Sequence, residues 1–145
     1  MTTDPESCDF CAIARGDAEA EVVCEGDHWL AFFPHHPATL GHTLIIPREH
    51  VENLWAPDLS VGGELMQAAI DVGRAIGHAL EPDGLNLISS AGAAAEQTVP
   101  HLHLHLVPRW DDDAFGPLWP PRKETPDEVV RDAANRIRAA CRASE

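Results

Sequence analysis

Three histidines alternate with three leucines over residues 101–106 (His-Leu-His-Leu-His-Leu). Alternation with a period of two is typical of a β-strand, so we expect a strand over 101–107 with His101, His103 and His105 on one face. An imidazole can act as a nucleophile, move a proton near neutral pH or ligate a metal. We favour nucleophilic catalysis by one histidine that its neighbours orient. The alternatives are a metal site formed by all three histidines, although no carboxylate follows them until Asp111, and a structural cluster without chemistry.

A second pattern, Cys8-Asp9-Phe10-Cys11, brings two thiols together at a spacing that favours metal binding over a disulfide in an intracellular chain. Tetrahedral zinc needs two further ligands, and the candidates are His50 and His101. Such a closed site would be structural, would hold the N-terminus on the core, and would remove His101 from direct chemistry. The alternative is that both thiols are unliganded. Cys24 and Cys141 are interpreted as ordinary thiols.

A loop of small and polar residues over 89–98 directly precedes the histidine segment. Small side chains let backbone N–H groups approach an anion, and Gln97 and Thr98 offer side-chain donors for phosphoryl oxygens. We therefore expect a phosphate-binding loop beside the histidines. His42 follows Gly41 at the start of a predicted strand, and this strand end could lie beside the three histidines.

The positions of apolar residues, glycines and prolines predict the elements that carry these motifs. We expect a short helical turn over 8–15, strands over 21–25, 29–33, 42–46, 85–89 and 101–107, and helices over about 58–80 and 126–142. The long helix is indicated by an apolar stripe at helical spacing, formed by Leu65, Ala69, Val72, Ile76 and Leu80. The last helix is indicated by Thr125 as its N-cap and Pro126 in its first position.

These elements predict an α+β fold in a single domain that spans residues 1–145. The strands would form an antiparallel meander, with the long helix between the third and the fourth strand. At 145 residues, such a domain is long enough to bury a substantial core.

Charge and hydropathy exclude several classes of partner. The formal net charge of −14 makes a general nucleic-acid surface improbable, since phosphate backbones are bound by clustered Lys and Arg. A small phosphorylated ligand held in a local pocket is not excluded. The sequence has no apolar run of transmembrane length, and no basic segment leads into an apolar one at the start, so we expect a cytoplasmic protein that does not bind membranes.

Together, these residues resemble the histidine triad (HIT) superfamily of nucleotide hydrolases and transferases, from Cys8 to about Trp110. The resemblance is carried by His-φ-His-φ-His-φ-φ over 101–107, by Gly-His-Thr-Leu-Ile-Ile-Pro over 41–47, and by Asn86, Gly92 and Gln97-Thr98. Residues 107–110 are similar to the tail of members that cleave dinucleoside polyphosphates. The resemblance implies a five-stranded antiparallel sheet with one long helix and a C-terminal helix. It also implies a homodimer in which two sheets join edge to edge.

The resemblance further implies a mechanism. His103 would attack the α-phosphorus of a nucleotide and form a covalent nucleotidyl-histidine, from which water releases a nucleoside monophosphate. His105 would assist with the proton of the leaving group, and His42 would hydrogen-bond to the triad and hold its tautomer. The residues implied to bind the nucleotide and its phosphate are Asn86, Ser90, Gln97 and Thr98.

The resemblance also implies a cofactor. Cys8, Cys11, His50 and His101 are similar to the structural zinc ligands of many bacterial members, so we expect one Zn²⁺ per chain and no organic cofactor.

Three positions depart from the family pattern. Pro34 stands where many members place an Asp that binds the ribose hydroxyls, Ser90 stands at a frequent Asn, and Glu96 at a frequent Gly. The negative charge of Glu96 could repel a polyphosphate. The substrate therefore stays open among a phosphoramidate, a dinucleoside polyphosphate and an unusual nucleotide ester. A nucleotidyltransferase with the same mechanism and a catalytically impaired, zinc-stabilised nucleotide-binding module are the alternative functions.

Overall fold

Five antiparallel strands form one sheet in the computed structural model, which describes residues 4–56 and 59–144. They are β1 (Glu21–Glu25), β2 (Trp29–Phe33), β3 (Thr43–Pro47), β4 (Gly84–Ile88) and β5 (Leu104–Arg109). The helices are α1 (Asp9–Arg15), α2 (Leu59–Leu80) and α3 (Asp127–Ala143), with short 3₁₀ turns over Pro5–Ser7 and Ala93–Ala95. The predicted α+β class, with one long helix and a C-terminal helix, is confirmed.

The order of the strands differs from a simple meander. It is β1-β2-β3-β5-β4, so the last strand lies between the third and the fourth. Both β3 and β4 pair antiparallel with β5 and therefore run parallel to each other. A long helical connection allows this crossover, since α2 carries the chain back along the sheet before β4 begins. The predicted meander is wrong at this point, and its correction places the histidine strand inside the sheet.

The histidine strand also begins later than predicted, at Leu104 rather than at residue 101. Before it joins the sheet, the chain bonds to loops: Leu102 N–H donates to the carbonyl of Val51, and His101 N–H to that of Val99 at 2.9 Å. The predicted separation of faces holds, because Leu102, Leu104 and Leu106 are all buried in one core cluster with α2.

The sheet has a core on each face. On one face, α2 packs the apolar stripe predicted from the sequence against Ala31, Ile45 and the three leucines. On the other face, Phe10 and Cys11 of α1 and its N-cap residue Cys8 pack against Leu30, Phe32, Leu44 and Ile46. Each large apolar side chain buried in this way stabilises the fold by about 1.5–3 kcal/mol. The histidines therefore lie on the α1 face, with a rigid sheet behind them.

Residues beyond Phe115 form a second compact unit, Gly116–Glu145, separate from Met1–Phe115. Its helix α3 has no buried residue. The predicted cap is wrong: Pro126 is the N-cap residue, and no side chain caps the helix, since Pro carries no acceptor beyond its backbone. No helix within residues 4–56 and 59–144 has the length and hydropathy needed to cross a bilayer.

The edges of the sheet are β1 and β4. Leu85 and Leu87 on β4 are both more than two fifths exposed. The edge-to-edge homodimer stays a prediction.

A substitution at Gly41, just before β3, tests how closely α2 packs on the sheet. Gly41 has φ +79°, and a Cβ at this position would overlap the Leu80 side chain of α2. We expect Gly41→Ala to lower the free energy of unfolding by about 2 kcal/mol, through left-handed strain and overpacking.

The matched control is Gly77→Ala, where an added Cβ meets nothing within 4 Å inside α2. Here Ala should raise the free energy of unfolding by about 0.5–1 kcal/mol. Urea denaturation measures both variants, and equal stabilities for the two would contradict the packing described.

Candidate functional site

The orientation of His103 follows from one backbone contact. Its Nδ1 lies 2.7 Å from the carbonyl oxygen of His101. A carbonyl only accepts, so in the neutral ring Nδ1 carries the proton and donates it. This leaves the lone pair on Nε2, the nitrogen that a nucleophilic imidazole uses. Ser89 Oγ donates to the carbonyl of His103 at 3.1 Å and holds the backbone at this point.

A second chain of contacts sets the tautomers of His42 and His105. Ala38 N–H donates to His42 Nδ1 at 3.0 Å, so the proton of neutral His42 resides on Nε2. His42 Nε2–H then donates to His105 Nδ1 at 2.9 Å. Neutral His105 must therefore carry its own proton on Nε2. The two rings thus lie within hydrogen-bond distance, as predicted for His42 and the triad. The His105 Nε2–H donor has no partner among the residues that the structure describes.

Burial keeps these rings neutral. It lowers the pKa of His42 and of His103 from the usual 6.5. Burial, together with the nearby His103 and His42, lowers the pKa of His105 to about 4. At neutral pH the arrangement thus offers one lone pair, on His103 Nε2, beside one proton donor, His105 Nε2–H.

A cavity of about 590 Å³ opens onto His42, His103 and His105. Its other lining residues are Asp9, Phe10, Ile13, Ala18, Glu19, Ala20, Phe32, Phe33, Pro34, His35, His36, Leu44, Thr98 and Val99. The apolar members could enclose a planar ring. Among the described residues, none that lines the cavity is Lys or Arg, so this part of its wall carries no permanent cation.

The loop predicted to bind phosphate is closed by its own glutamine. Gln97 Nε2 donates to the carbonyls of Glu52 at 2.8 Å and Val99 at 3.1 Å. Gln97 Oε1 accepts from Gly92 N–H at 2.8 Å. Because both amide donors are engaged, Gln97 acts here as the organiser of the loop. Glu96 has φ +63°, a left-handed conformation that agrees with the frequent Gly at this position.

The other predicted nucleotide-binding residues lie at different places. Thr98 lines the cavity. Asn86 lies on β4 on the same face as His105, but its Oδ1 accepts from Arg109 Nη1 at 2.9 Å and it does not line the cavity. Ser90 lies two residues after the end of β4 and is half-buried.

Three functional contacts were missed from the sequence. The backbone N–H of Ala38 leaves no signal, since any residue but Pro supplies it. The hydroxyl of Ser89, which donates to the His103 carbonyl, does have a sequence signal, because Ser89 stands next to the predicted Ser90. Phe10 was visible between the two cysteines, yet its contact with the histidines depends on how α1 packs.

The four residues predicted as metal ligands come together in one group, with their ligand atoms all within 4.8 Å of one another. Cys8 Sγ and Cys11 Sγ lie 3.4 Å and 3.5 Å from His101 Nδ1, and Cys11 Sγ lies 3.3 Å from His50 Nδ1. A tetrahedral zinc with bonds of about 2.3 Å to sulfur and about 2.0 Å to nitrogen places these atoms about 3.5 Å apart. The group therefore fits such an ion.

Hydrogen bonds and burial also fit a metal. His101 Nε2–H donates to the carbonyl of Pro47 at 2.8 Å, which leaves the Nδ1 lone pair toward the cysteines. Burial raises the pKa of Cys11 to about 11, assisted by Cys8. The Cys11 thiol would stay protonated on its own, whereas a bound cation stabilises a thiolate. This group could hold a metal ion.

Comparison with known proteins agrees with this geometry. The family model for the HIT domain matches residues 15–112. The Bacillus subtilis protein hit is 39% identical over 115 residues, which cover 79% of each chain. The adenosine 5'-monophosphoramidase hnt1 of Schizosaccharomyces pombe is 31% identical over 85% of this chain and 90% of its own. The adenylylsulfatase HINT3 of Arabidopsis thaliana is 34% identical over 81% of this chain and 58% of its own.

Solved structures have the same fold. A Streptococcus mutans protein superposes with a TM-score of 0.86 at 35% identity, covering 97% of this chain and 88% of that one. A zinc-bound histidine triad family protein from Mycobacterium smegmatis has a TM-score of 0.74 at 34% identity, covering 94% of this chain and 99% of that one. With the three histidines, the family-model match and these relatives in agreement, the chain belongs to the HIT domain family.

Proposed function

We propose that this protein is a nucleotide hydrolase that cleaves at the α-phosphate of a nucleotide conjugate, forms a covalent nucleotidyl-His103 intermediate and releases a nucleoside monophosphate. The observation that carries this proposal is the 2.7 Å contact of His103 Nδ1 with the His101 carbonyl, which leaves Nε2 as the free nucleophile beside the cavity. A neutral imidazole is a good nucleophile near pH 7.

In the first step, the Nε2 lone pair of His103 forms a bond to the α-phosphorus, and the bond from phosphorus to the leaving group breaks. The leaving group accepts a hydrogen bond from His105 Nε2–H and takes its proton from solvent water. The modified His103 ring is then a cation, and the His101 carbonyl stabilises it through the Nδ1–H bond.

In the second step, water attacks the same phosphorus and loses a proton to solvent. The bond between phosphorus and His103 Nε2 breaks, and its electron pair returns to the ring. His103 regains its starting tautomer, and His105 keeps its proton on Nε2 throughout. In this proposal Thr98 and Ser90 contact phosphoryl oxygens, while Gln97 holds the loop in place.

The charge of the cavity selects among the possible substrates. Asp9 and Glu19 line it, Lys and Arg are lacking among its lining residues, and Glu96 lies in the adjacent loop. Like charges disfavour a dinucleoside polyphosphate with several adjacent phosphates. A nucleoside phosphoramidate, with a single phosphate, suits this wall better, and the relative named a monophosphoramidase supports that choice. The Pro34 and Glu96 departures keep a binding-only module as the second candidate.

We propose that the Cys8, Cys11, His50 and His101 group holds one structural Zn²⁺. A zinc ion with four protein ligands has no open position, so its contribution would be to stabilise the fold around the thiolates. The zinc-bound relative from Mycobacterium smegmatis supports this assignment.

The covalent step is tested by His103→Ala. We expect nucleoside monophosphate release from a panel of adenosine and guanosine phosphoramidates and dinucleoside polyphosphates to fall about 10³-fold or more, because the nucleophile is lost. His78→Ala, an exposed residue of α2, is the control and should retain full activity. Turnover that survives in His103→Ala would refute the mechanism. Wild-type binding without any product would favour the binding module, and faster decay of the intermediate with an added acceptor would favour the transferase.

The pH profile has a defined sign. The lowered pKa values of His103 and His105 mean that both rings remain neutral below pH 6.5, where free histidine would already be protonated. We expect kcat/KM to be maintained just below pH 6.5 and to fall only at more acidic pH, as the two buried rings become protonated. Metal content measured on the same samples is the control for acid-induced loss of ligands. An acidic limb centred at 6.5 or above would contradict this assignment.

Metal analysis of protein purified without chelator should give about one zinc per chain. Cys8→Ser should abolish this binding and lower the free energy of unfolding by at least about 2 kcal/mol, because metal binding contributes to folding. The exposed Cys24→Ser is the matched control and should change stability by less than about 0.5 kcal/mol. A metal content near zero in the wild type would refute the zinc site, whereas turnover by metal-free protein would exclude a metal-dependent hydrolase built on the triad.

A further inference from the structure

Phe10 lies between the two cysteines of α1 and contacts two histidines of the triad. Its ring centroid is 5.3 Å from that of His103 at 88° and 5.8 Å from that of His101 at 73°. Both are edge-to-face contacts, the arrangement that aromatic rings prefer. Only 8% of Phe10 is exposed. A single buried ring thus joins a candidate metal ligand to the proposed nucleophile.

A second connection runs through the backbone. The side chain of His101 belongs to the Cys/His group, while its carbonyl accepts the Nδ1–H of His103. The hydrogen bond restrains one side of the His103 ring. The Phe10 ring packs against His103 on another side, and it is itself buried in the same core cluster as Cys8 and Cys11, so this packing opposes rotation of the His103 ring.

We infer that Phe10 is a positioning residue for His103, held in place by Cys8 and Cys11 on either side of it. The inference rests on the proposed function, in which His103 Nε2 attacks phosphorus. A rotated ring would exchange Nδ1 for carbon, break the bond to His101 and turn Nε2 away from the substrate. Near-attack geometry has a large effect on rate, and a displacement of about 1 Å can lower it about 100-fold.

A different role for Phe10 makes a different prediction. Phe10 also lines the cavity, so it could serve as a binding wall alone. The loss of a wall raises KM and leaves kcat unchanged. The loss of a positioning contact lowers kcat, because the bound substrate meets a misdirected nucleophile.

The experiment compares Phe10→Leu with Phe10→Tyr in the metal-loaded protein. Leu keeps an apolar side chain but removes the ring, whereas Tyr keeps the ring. For Phe10→Leu we expect kcat to fall about 10- to 100-fold with KM within about threefold of the wild type. Phe10→Tyr should restore most of this loss. Phe115→Leu, whose ring lies over Arg109 outside the cavity, is the control and should leave turnover unchanged.

A spectroscopic readout separates this inference from the proposed function. In protein labelled with ¹⁵N-histidine, the buried Nδ1–H of His103 should give a slowly exchanging imidazole resonance, assigned by its absence in His103→Ala. It should be lost or broadened in Phe10→Leu and present in Phe10→Tyr and Phe115→Leu. This measurement needs no substrate, so it stands even if the wild type turns over none of the panel.

Three outcomes would overturn the inference. A raised KM with an unchanged kcat and an intact resonance would make Phe10 a binding wall. A Phe10→Leu protein that loses its metal would make it a support of the Cys/His group. A Cys8→Ser protein, or a chelated wild type if that variant does not fold, that lacks metal but keeps the resonance would show that the cysteines do not hold Phe10 in place.

Discussion

The hydrogen bond from His103 Nδ1–H to the carbonyl of His101 is the contact on which the site depends. A carbonyl accepts and never donates, so this bond determines which nitrogen of His103 holds the proton and which holds the lone pair. Burial of the ring lowers its pKa and keeps it neutral. Tautomer, charge and direction of a potential nucleophile thus follow from one backbone group and its surroundings.

The same principle repeats along the histidines. The N–H of Ala38 sets His42, His42 sets His105, and the carbonyl of Pro47 sets His101. Each chain of contacts starts at a backbone group whose polarity cannot change, so the neighbouring rings have no freedom to exchange their roles. The result is that similar imidazoles acquire different chemistry: one lone pair toward the cavity, one proton donor beside it, and one lone pair toward the cysteines.

The topology of the sheet makes these contacts possible. The insertion of β5 between β3 and β4 puts His105 opposite Leu44 of β3, close to His42 at the start of that strand. Leucines on the opposite face anchor the same chain to α2. The N-terminal α1 covers the histidine face, where its cysteines meet His50 and His101 and its phenylalanine meets His103. Catalytic and metal-binding candidates therefore share one wall of the fold.

The sequence by itself determined the local features, namely the alternation of His101 to Leu106, the apolar stripe of α2 and the bounds of β1 and β2. These features depend on neighbouring residues only, because the repeat of a strand or a helix decides which side chains share a face. It also pointed to four candidate metal ligands, Cys8 and Cys11 by their spacing and His50 and His101 by residue type. Only the tertiary structure decided that β5 lies inside the sheet, that Gln97 donates to the carbonyl of Glu52, and that Asn86 bonds to Arg109. Each depends on contacts between residues that are distant in the chain. A strand or a polar side chain could form hydrogen bonds with several alternative partners, and the packing of the whole fold decides which partner lies within reach.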